Sequence, residues 1–347
     1  MPRAQRTTDR PAPGMFEEGL LGFSKSYLIT DSRLINFTHQ TAMQLSNPKL
    51  KKFPSFRFPA SMPITAEKRH IYKLKHGNYM FTPKADGTRI LLLFFTYYVD
   101  GDWRRMCVAL HREGECQLLV VETPTELNER GGSLFDCELV QTTSGWYEVL
   151  LFDCYSYMGS NMRDQPLLRR FAKCEHLSQV SVHRETNSVK ISAKPYYKIS
   201  AETLPDAAAF LNNCNHYLHY ATDGIVLAPP GKAECFSGPD ETQFKMKLEH
   251  TVDLILIEDD DDARTRFLAT YDESDDSYFT KQEVSRTELP FELNSIIECK
   301  IAKIDGINTY VPIKVRPDKT KPNSERVLER TLQTLADDVT LADIVPE

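Results

Sequence analysis

The sequence predicts an α+β chain of two domains, a larger domain of antiparallel sheets and helices and then a small five-stranded barrel. Three observations support this fold class. The chain has 347 residues, which is enough for two domains. Between about residues 79 and 151, apolar runs of strand length alternate with turn residues. From about residue 251 onward, short strands are separated by acidic or Asp-Gly turns, as in a small barrel of the OB type.

These patterns divide the chain into four predicted segments. Residues 1–15 are polar, rich in Arg and Pro, and predicted to be flexible. Residues 16–249 form the first domain, with one or two helices within 16–50 and further helices at about 66–75, 163–177 and 204–217. Residues 250–323 form the barrel domain. Residues 324–347 contain an amphipathic helix that could pack back on the first domain.

Composition limits the possible classes of function. A net charge of −7 provides no global basic field, so any contact with nucleic acid must be a local groove. The eight cysteines include no C-x-x-C pair, which favours buried free thiols in a reducing, intracellular compartment. No stretch has the roughly 18 apolar residues needed to span a bilayer.

The first candidate for chemistry is the stretch Lys84-Ala85-Asp86-Gly87-Thr88-Arg89, which lies between two apolar runs. Asp-Gly between two strands predicts a tight turn in which glycine takes a positive φ. A lysine at the end of a buried strand, with a carboxylate two residues later, suits a cleft in which the amine loses its proton and acts as a nucleophile. The alternative is an ordinary hairpin with two exposed cations.

Two further strands carry candidate binding groups. In Phe135-Asp136-Cys137-Glu138-Leu139, alternation places both carboxylates on one face, where they could meet a ribose hydroxyl or hold a metal ion. A solvated strand face would look the same. The apolar run Val149-Leu150-Leu151-Phe152-Asp153 offers an aromatic ring that could stack on a base, or that could simply belong to the core.

Three later stretches also carry candidate catalytic or binding residues. Thr222-Asp223-Gly224 precedes a buried strand, and Phe244-Lys245-Met246-Lys247 places two lysines on one strand face. The second of these could also be a cationic edge strand. The last predicted strand ends in Arg316-Pro317-Asp318-Lys319-Thr320-Lys321-Pro322-Asn323, which taken alone is a basic loop.

In this order, the stretches resemble motifs I, III, IIIa, IV, V and VI of the lysine nucleotidyltransferases. That family joins the ATP-dependent polynucleotide ligases and the GTP-dependent mRNA capping enzymes. Two features favour the capping enzymes: Asp223-Gly224, where ligases generally carry Glu-Gly, and the Arg-x-Asp-Lys pattern that begins at Arg316. The chain departs from the family pattern at His111, where an Asp usually precedes the Arg, and at Cys137, where a Gly is usual.

The resemblance implies an mRNA guanylyltransferase with a nucleotidyltransferase domain and a C-terminal OB-fold barrel. It would transfer GMP from GTP, through a covalent lysyl-GMP, to the 5′-diphosphate end of RNA, using Mg²⁺ or Mn²⁺. Implied partners are a separate RNA triphosphatase, a cap methyltransferase or RNA polymerase, in the nucleus or at a viral or cytoplasmic site of transcription. The alternatives are an ATP-dependent RNA or DNA ligase that forms lysyl-AMP, and a non-catalytic OB-fold protein that binds nucleic acid.

The resemblance also assigns roles to individual residues. Lys84 would be the nucleophile, and Asp223, with Glu138, would hold the metal ion. The implied catalytic set is Lys84, Asp223, Lys245, Lys247, Arg316, Asp318 and Lys319. Of these, Arg316 and Lys319 would reach the β- and γ-phosphates when the domains close, and Asp318 would orient the leaving group or help hold the closed state. The implied GTP-binding set is Arg89, Arg112, Glu138, Phe152, Lys194 and Asn323, with Arg89 at the ribose and Lys194 at guanine O6.

Overall fold

The computed structural model divides the chain into two compact units. The first comprises Met1–Ile64, Tyr72–Met246 and Ile344–Glu347, and the second Thr65–Ile71 and Lys247–Asp343. The structure describes residues 5–6, 15–21, 24–50, 55–183, 189–199, 218–232, 237–247, 250–259, 265–272, 274–284, 291–317, 319–337 and 339–344. The helix predicted at 204–217 and the candidate residue Asp318 lie outside the described residues.

The first unit is built mainly from strands. They are β1 (Gln5–Arg6), β2 (Phe16–Leu21), β3 (Ser24–Ile29), β4 (Ser61–Thr65), β5 (Met80–Ala85), β6 (Thr88–Val99), β7 (Asp102–His111), β8 (Cys116–Leu119), β9 (Glu122–Thr123), β10 (Ser133–Gln141), β11 (Tyr147–Tyr157), β12 (Ser160–Asn161), β13 (Lys190–Ala193), β14 (Tyr197–Lys198), β15 (Thr222–Ala228) and β16 (Gly238–Lys247). Its helices are α1 (Ser32–Ser46), α2 (Ile71–His76) and α3 (Leu167–Val180), with a 3-10 turn at Thr125–Asn128.

A large sheet forms the body of this unit. Its strand order is β12-β11-β10-β6-β7-β8-β3-β2, and β13 pairs with β11 in parallel while the other ladders are antiparallel. The central strand β6 is buried on both faces. Leu91 and Leu93 pack with the apolar side of α1, whereas Leu92 and Phe94 belong to the core that contains Phe171 of α3. Burial on both faces explains why β6 is a continuous apolar run rather than an alternating one.

A second sheet of the same unit has the order β14-β5-β15-β16-β4. Strands β5 and β6 therefore belong to different sheets, and the stretch from Lys84 to Arg89 carries the chain from one sheet to the other. The predicted Asp-Gly hairpin turn is wrong, since Gly87 does not have a positive φ. Glycine is needed there for space: a Cβ at Gly87 would lie 2.5 Å from the carbonyl oxygen of Leu139 on β10.

The predicted helices need three corrections. Residues 16–50 contain the β2–β3 hairpin as well as α1, because pairing of β3 with the distant β8 outweighs the local pattern. The helix predicted at 66–75 is a 3-10 turn (Lys68–His70) followed by the short α2. The helix predicted from residue 163 begins at Leu167 because Pro166 occupies its N-cap position, where a missing N–H costs nothing.

The second unit contains the five predicted strands. They are β17 (Thr251–Glu258), β18 (Arg266–Asp272), β19 (Ser277–Val284), β20 (Ile296–Ile304) and β21 (Ile307–Val315), and they pair in the order β19-β18-β17-β20-β21. Helix α4 (Glu325–Asp337) contributes Leu328 to their core. A 3-10 turn at Ala342–Ile344 follows.

The barrel of this unit is not closed by backbone pairing in the part of the chain that the structure describes. Its two edge strands, β19 and β21, are joined by one side chain instead. The Gln282 amide donates to the carbonyl of Tyr310 at 3.3 Å and accepts from the Tyr310 N–H at 2.7 Å. The five predicted strands are confirmed as one open sheet, and their closure into an OB-type barrel stays a prediction.

Six cysteines lie within the described residues, and all six are free and buried: Cys107, Cys116, Cys137, Cys154, Cys174 and Cys299. Cys137 points into the core shared with α3, away from the site described below, so its replacement of a glycine introduces no side chain there. Among the described residues, no helix is both long and apolar enough to cross a membrane.

Candidate active site

Lys84 and Asp223 form the centre of the candidate site. Strands β5 and β15 pair with Lys84 opposite Gly224, and the register shifts so that Asp223 is an extra residue on β15. Such a β-bulge re-aims a side chain. The Lys84 Nζ donates to Asp223 Oδ1 at 2.6 Å, and the two side chains are 26% and 30% exposed. The amine is therefore held in a defined position and remains accessible to a ligand.

A buried ion pair lies on the neighbouring sheet. Arg89 donates from Nε and Nη2 to the two oxygens of Asp136, at 2.9 and 2.6 Å, and Nη2 also donates to the Ser61 carbonyl at 2.6 Å. The Tyr155 hydroxyl donates to Asp136 at 2.5 Å. Asp136 is fully buried, so its oxygens serve Arg89 and Tyr155 rather than a ribose or a metal ion. Of the two predicted carboxylates on this face, Glu138 remains for a ligand.

Aromatic side chains reach this site through two further bulges. In the pairing of β10 with β11, Phe152 and Tyr155 are both extra residues on β11. The Phe152 ring centroid lies 5.5 Å from the Arg89 guanidinium carbon and 4.5 Å from the Lys194 Nζ. A partly exposed aromatic ring flanked by cations is suited to an electron-rich, negatively charged ligand such as a nucleotide.

Lys194 and Glu138 set the electrostatics of the site. Lys194 is 4% exposed, and desolvation lowers its pKa to about 8, although the Glu138 carboxylate opposes that shift. Burial likewise raises the pKa of Glu138 to about 6, against the influence of Lys194, Arg89 and Lys84. Between these two values Glu138 is an anion and Lys194 a cation, so both can bind ligand groups near neutral pH.

The depressed pKa of Lys194 predicts a particular dependence of stability on pH. Its pKa is about 8 in the folded chain and 10.5 ordinarily, so the unfolded chain binds more protons between these values and the free energy of unfolding rises with pH. The free energy of unfolding of the wild type, minus that of Lys194→Met, should therefore increase by up to about 3 kcal/mol from about pH 7.5 to about pH 10. Urea unfolding at a series of pH values measures this difference. A difference that stays constant would contradict the assigned burial of the ammonium group.

A substitution at Gly87 tests how closely the chain approaches β10 where it runs from one sheet to the other. We expect Gly87→Ala to lower the free energy of unfolding by about 1–3 kcal/mol, because the new methyl would meet the Leu139 carbonyl at 2.5 Å and the Glu138 Cγ at 3.0 Å. Gly231→Ala is the matched control, since a methyl at that position would have no heavy atom within 4 Å and the φ of Gly231 is not positive. Denaturant unfolding compares the two variants, and equal stability would refute the close approach.

The remaining predicted residues of the first unit lie on or near the same strands. Arg112 is exposed, and its Nη2 lies 3.5 Å from the Met62 sulfur, next to the Ser61 carbonyl that accepts from Arg89. Lys245 lies on β16, which neighbours β15. Lys247, the last residue of that strand, is the first residue of this stretch that belongs to the second unit. The structure thus brings Lys84, Arg89, Glu138, Phe152, Lys194 and Asp223 into one cluster of electrostatic and ring contacts.

The candidate residues of the second unit have partners within that unit. The Arg316 Nη1 lies 3.2 Å from Asp253 and 3.6 Å from Glu298. The side-chain oxygen of Asn323 accepts from the Asp253 N–H at 2.8 Å, so this residue joins its loop to β17. Lys319 is exposed.

Sequence reasoning missed several residues that build the site. Asp136 was recognised as a carboxylate on the right face, but not as the partner of Arg89. Tyr155 and Ser61 gave no signal, since one reaches the site through a bulge and the other through a backbone carbonyl. Asp136 lies on β10 and Arg89 on β6, and these two strands pair. A prediction of that pairing could have indicated their contact.

Asp223 and Glu138 are the two carboxylates that the sequence predicts to hold a divalent metal ion. Within the part of the chain that the structure describes, no three His, Cys, Asp or Glu residues are grouped as a metal site. Mg²⁺ and Mn²⁺ do not need such a group, because they commonly bind one or two carboxylates and complete their coordination with water and substrate phosphates. The two carboxylates fit a metal ion that arrives with a nucleotide.

The sequence is similar to those of several mRNA-capping enzymes. An mRNA-capping enzyme subunit alpha of Candida glabrata is 24% identical over 382 residues, covering 87% of this chain and 82% of the relative. The mRNA-capping enzyme subunit alpha of Saccharomyces cerevisiae is 24% identical, covering 86% and 79%. An mRNA-capping enzyme of Danio rerio is 24% identical, covering 77% of this chain and 45% of its own length.

Solved structures of DNA ligases are among those that the chain matches. A mycobacterial DNA ligase D complexed with ATP and MES superimposes with a TM-score of 0.45 at 12% identity, covering 75% of this chain and 95% of the ligase chain. A similarity at this level does not bear on substrate or activity.

Two family models match nearly the whole chain between them. The catalytic domain of mRNA capping enzymes matches residues 31–249, and the C-terminal domain of mRNA capping enzymes matches residues 233–345. The first match includes every candidate residue of the first unit, and the second includes those at 316–323. With both domains present, this chain belongs to the mRNA capping enzyme family.

Proposed function

We propose that the protein is an mRNA guanylyltransferase, which transfers GMP from GTP to Lys84 and then to the 5′-diphosphate end of RNA. The observation that carries the proposal is the accessible Lys84 amine, held 2.6 Å from Asp223 within a capping enzyme catalytic domain. A non-catalytic binding protein would have no need of an amine held in this way.

In the first step the neutral Lys84 amine attacks the α-phosphorus of GTP. A nitrogen–phosphorus bond forms, the bond from phosphorus to the bridging oxygen breaks, and pyrophosphate leaves with that bonding pair, while the attacking nitrogen loses one proton to water. Asp223 orients the amine. Lys245 and Lys247 are proposed to neutralise the α-phosphate.

In the second step an oxygen of the RNA 5′-diphosphate attacks the same phosphorus. The nitrogen–phosphorus bond breaks, the Lys84 nitrogen takes up one proton from water and is an amine again, and the product carries the GpppN triphosphate bridge. Splitting one difficult transfer into two easier displacements is the general advantage of a covalent intermediate.

Phe152 and Lys194 are proposed to select guanine. The Phe152 ring would stack on the purine, a contact worth about 1–3 kcal/mol in comparable systems. The ammonium of Lys194 only donates hydrogen bonds, so it suits the O6 acceptor of guanine and not the amino group that adenine carries at that position. This difference favours GTP over the ATP of the ligase alternative.

Glu138 is proposed to bind the ribose, since its carboxylate accepts hydrogen bonds and lies within the influence of Lys84, Arg89 and Lys194. Arg89 would also bind the ribose, with its positive charge and its remaining N–H donors. Its orientation is fixed by Asp136 and Ser61. Arg112 is proposed to contact the nucleotide from the adjacent loop. A Mg²⁺ or Mn²⁺ ion held by Asp223 and Glu138 would offset the negative charge on the α-phosphate.

Residues of the second unit are proposed to bind the β- and γ-phosphates. Arg316, Lys319, Asn323 and Asp318 occupy the stretch that matches the last family motif. Because Arg316 is paired with Asp253 and Glu298, phosphates must compete with these carboxylates for it. Loss of pyrophosphate would then return Arg316 to them. We place the boundary of the two proposed domains at about residues 249–250.

The proposed partners follow from the reaction. Its RNA substrate ends in a diphosphate, so a triphosphatase must act first, and a cap methyltransferase acts on the product. The names of two fungal relatives describe each as a subunit alpha, which supports a separate partner protein such as a triphosphatase or RNA polymerase. The reaction places the protein where transcripts are made, in the nucleus or at a viral or cytoplasmic site.

A chase of the covalent intermediate tests the proposal. The lysyl-GMP protein, freed of GTP, is mixed with RNAs that end in a 5′-monophosphate or a 5′-diphosphate. We expect GpppN to form on the diphosphate RNA only. Formation of a lysyl-AMP from ATP, with sealing of RNA or DNA ends, would identify a ligase instead. No covalent intermediate with either nucleotide would identify a binding protein.

A further inference from the structure

Arg170 lies on α3, outside all the stretches that resemble the family motifs, and its side chain is fully buried. Its Nε and Nη2 donate to the two oxygens of Asp153, at 2.7 and 3.0 Å. Its Nη1 donates to the carbonyls of Gln165 and Lys232, at 2.6 and 2.9 Å. A buried guanidinium with this many bonds joins three segments of the chain: β11, the start of α3 and the loop after β15.

Asp153, which accepts two of these hydrogen bonds, lies next to a residue of the candidate site. It directly follows Phe152, the bulge residue whose ring lies beside Arg89 and Lys194. A bulge residue has no partner in the strand ladder, so its geometry depends on contacts outside the ladder. The Asp153–Arg170 pair is such a contact on the C-terminal side of the bulge.

Two further hydrogen bonds are made to the carbonyl groups of Leu151 and Phe152, before and at the bulge. The Lys194 N–H donates to the carbonyl of Leu151, just before the bulge, at 2.8 Å. The Tyr196 hydroxyl donates to the carbonyl of Phe152 itself at 3.3 Å, and its ring packs edge-on against Phe171 of α3. The bulge and the segment that carries Lys194 are therefore bonded to each other, and α3 supports them through Arg170 and Phe171.

We propose that Arg170 is a positioning residue for recognition of the nucleobase. Through Asp153 it fixes the Phe152 bulge, and thereby the distance between the stacking ring and the Lys194 ammonium. The proposal rests on the assignment of Phe152 and Lys194 to guanine under the proposed function. The plain alternative is a buried ion pair that contributes to stability alone.

The experiment separates positioning from stability. In Arg170→Met, the buried Asp153 carboxylate loses its cation, so loss of stability and loss of activity would be confounded. Asp153→Leu/Arg170→Met removes both charges, and such replacement of a buried pair is often neutral or stabilising. Arg170→Lys is the conservative variant, and Arg169→Met, at the exposed neighbouring position, is the matched control.

For the double variant we expect a stability near that of the wild type but a KM for GTP in lysyl-GMP formation raised by about 10- to 100-fold, since small misplacements of binding groups have effects of this size. The rate at saturating GTP should change by less than about threefold, because none of the Arg170 hydrogen bonds described above involves Lys84 or Asp223. Arg170→Lys should give an intermediate KM, and Arg169→Met none of these effects. A stable double variant with the wild-type KM would overturn the proposal.

Hydrogen exchange provides a readout that needs no nucleotide. The Lys194 amide is bonded to Leu151, so loosening of the bulge in the double variant should speed its exchange by at least about tenfold relative to the wild type. Unchanged exchange would also overturn the proposal. A wild-type protein that forms no lysyl-GMP would instead refute the proposed function, while the exchange result would still decide whether Arg170 holds the bulge.

Discussion

Lys84→Ala is expected to reduce covalent labelling by GTP by at least about 10⁴-fold, because removal of the nucleophile leaves no atom to form the intermediate. Lys84→Arg should be equally inactive, since the guanidinium keeps its proton and cannot attack. The free energy of unfolding should change by less than about 1 kcal/mol in either variant, because the pair with Asp223 is partly exposed. Gel analysis after incubation with α-labelled GTP measures the first effect, and urea unfolding measures the second. Labelling of a well-folded Lys84→Ala protein would rule out this lysine.

Arg89→Met is expected to cause the largest loss of stability, about 3–5 kcal/mol, since it leaves the fully buried Asp136 without its cation. Binding of GTP should weaken in the same variant, because Arg89 also lies against the Phe152 ring. Arg33→Met is the matched control: the Arg33–Asp31 pair has the same chemistry, but its arginine is 82% exposed. The control should change the free energy of unfolding by less than about 1 kcal/mol. Denaturant unfolding of both variants provides the comparison, and similar losses in both would contradict the role of Asp136.

Local patterns were sufficient for most of the architecture. The apolar run at β6 and the spaced strands of the second unit are visible in the sequence because they reflect burial of consecutive or alternating side chains. The β2–β3 hairpin was mistaken for helix because its strand identity depends on pairing with β8, almost a hundred positions away along the chain.

The candidate site was predictable in its residue types and only partly in its geometry. Lys84 and Asp223 stand out through their motifs, and they do meet. The bulges at Phe152, Tyr155 and Asp223 could not be read from alternation, because each is defined by the register of a partner strand. The sequence predicts a positive φ as the reason for glycine at position 87, whereas the structure shows close approach to β10 instead.

The identity of the nucleotide on Lys84 tests the central claim most directly. The protein is incubated with equal concentrations of GTP and ATP and with Mg²⁺ or Mn²⁺, then digested, and its peptides are analysed by mass spectrometry. The proposed mechanism predicts GMP, and no AMP, joined to the Lys84 side chain and removed by added pyrophosphate. AMP on Lys84, or GMP on any other residue, would contradict the assignment of this site as a guanylyltransferase centre.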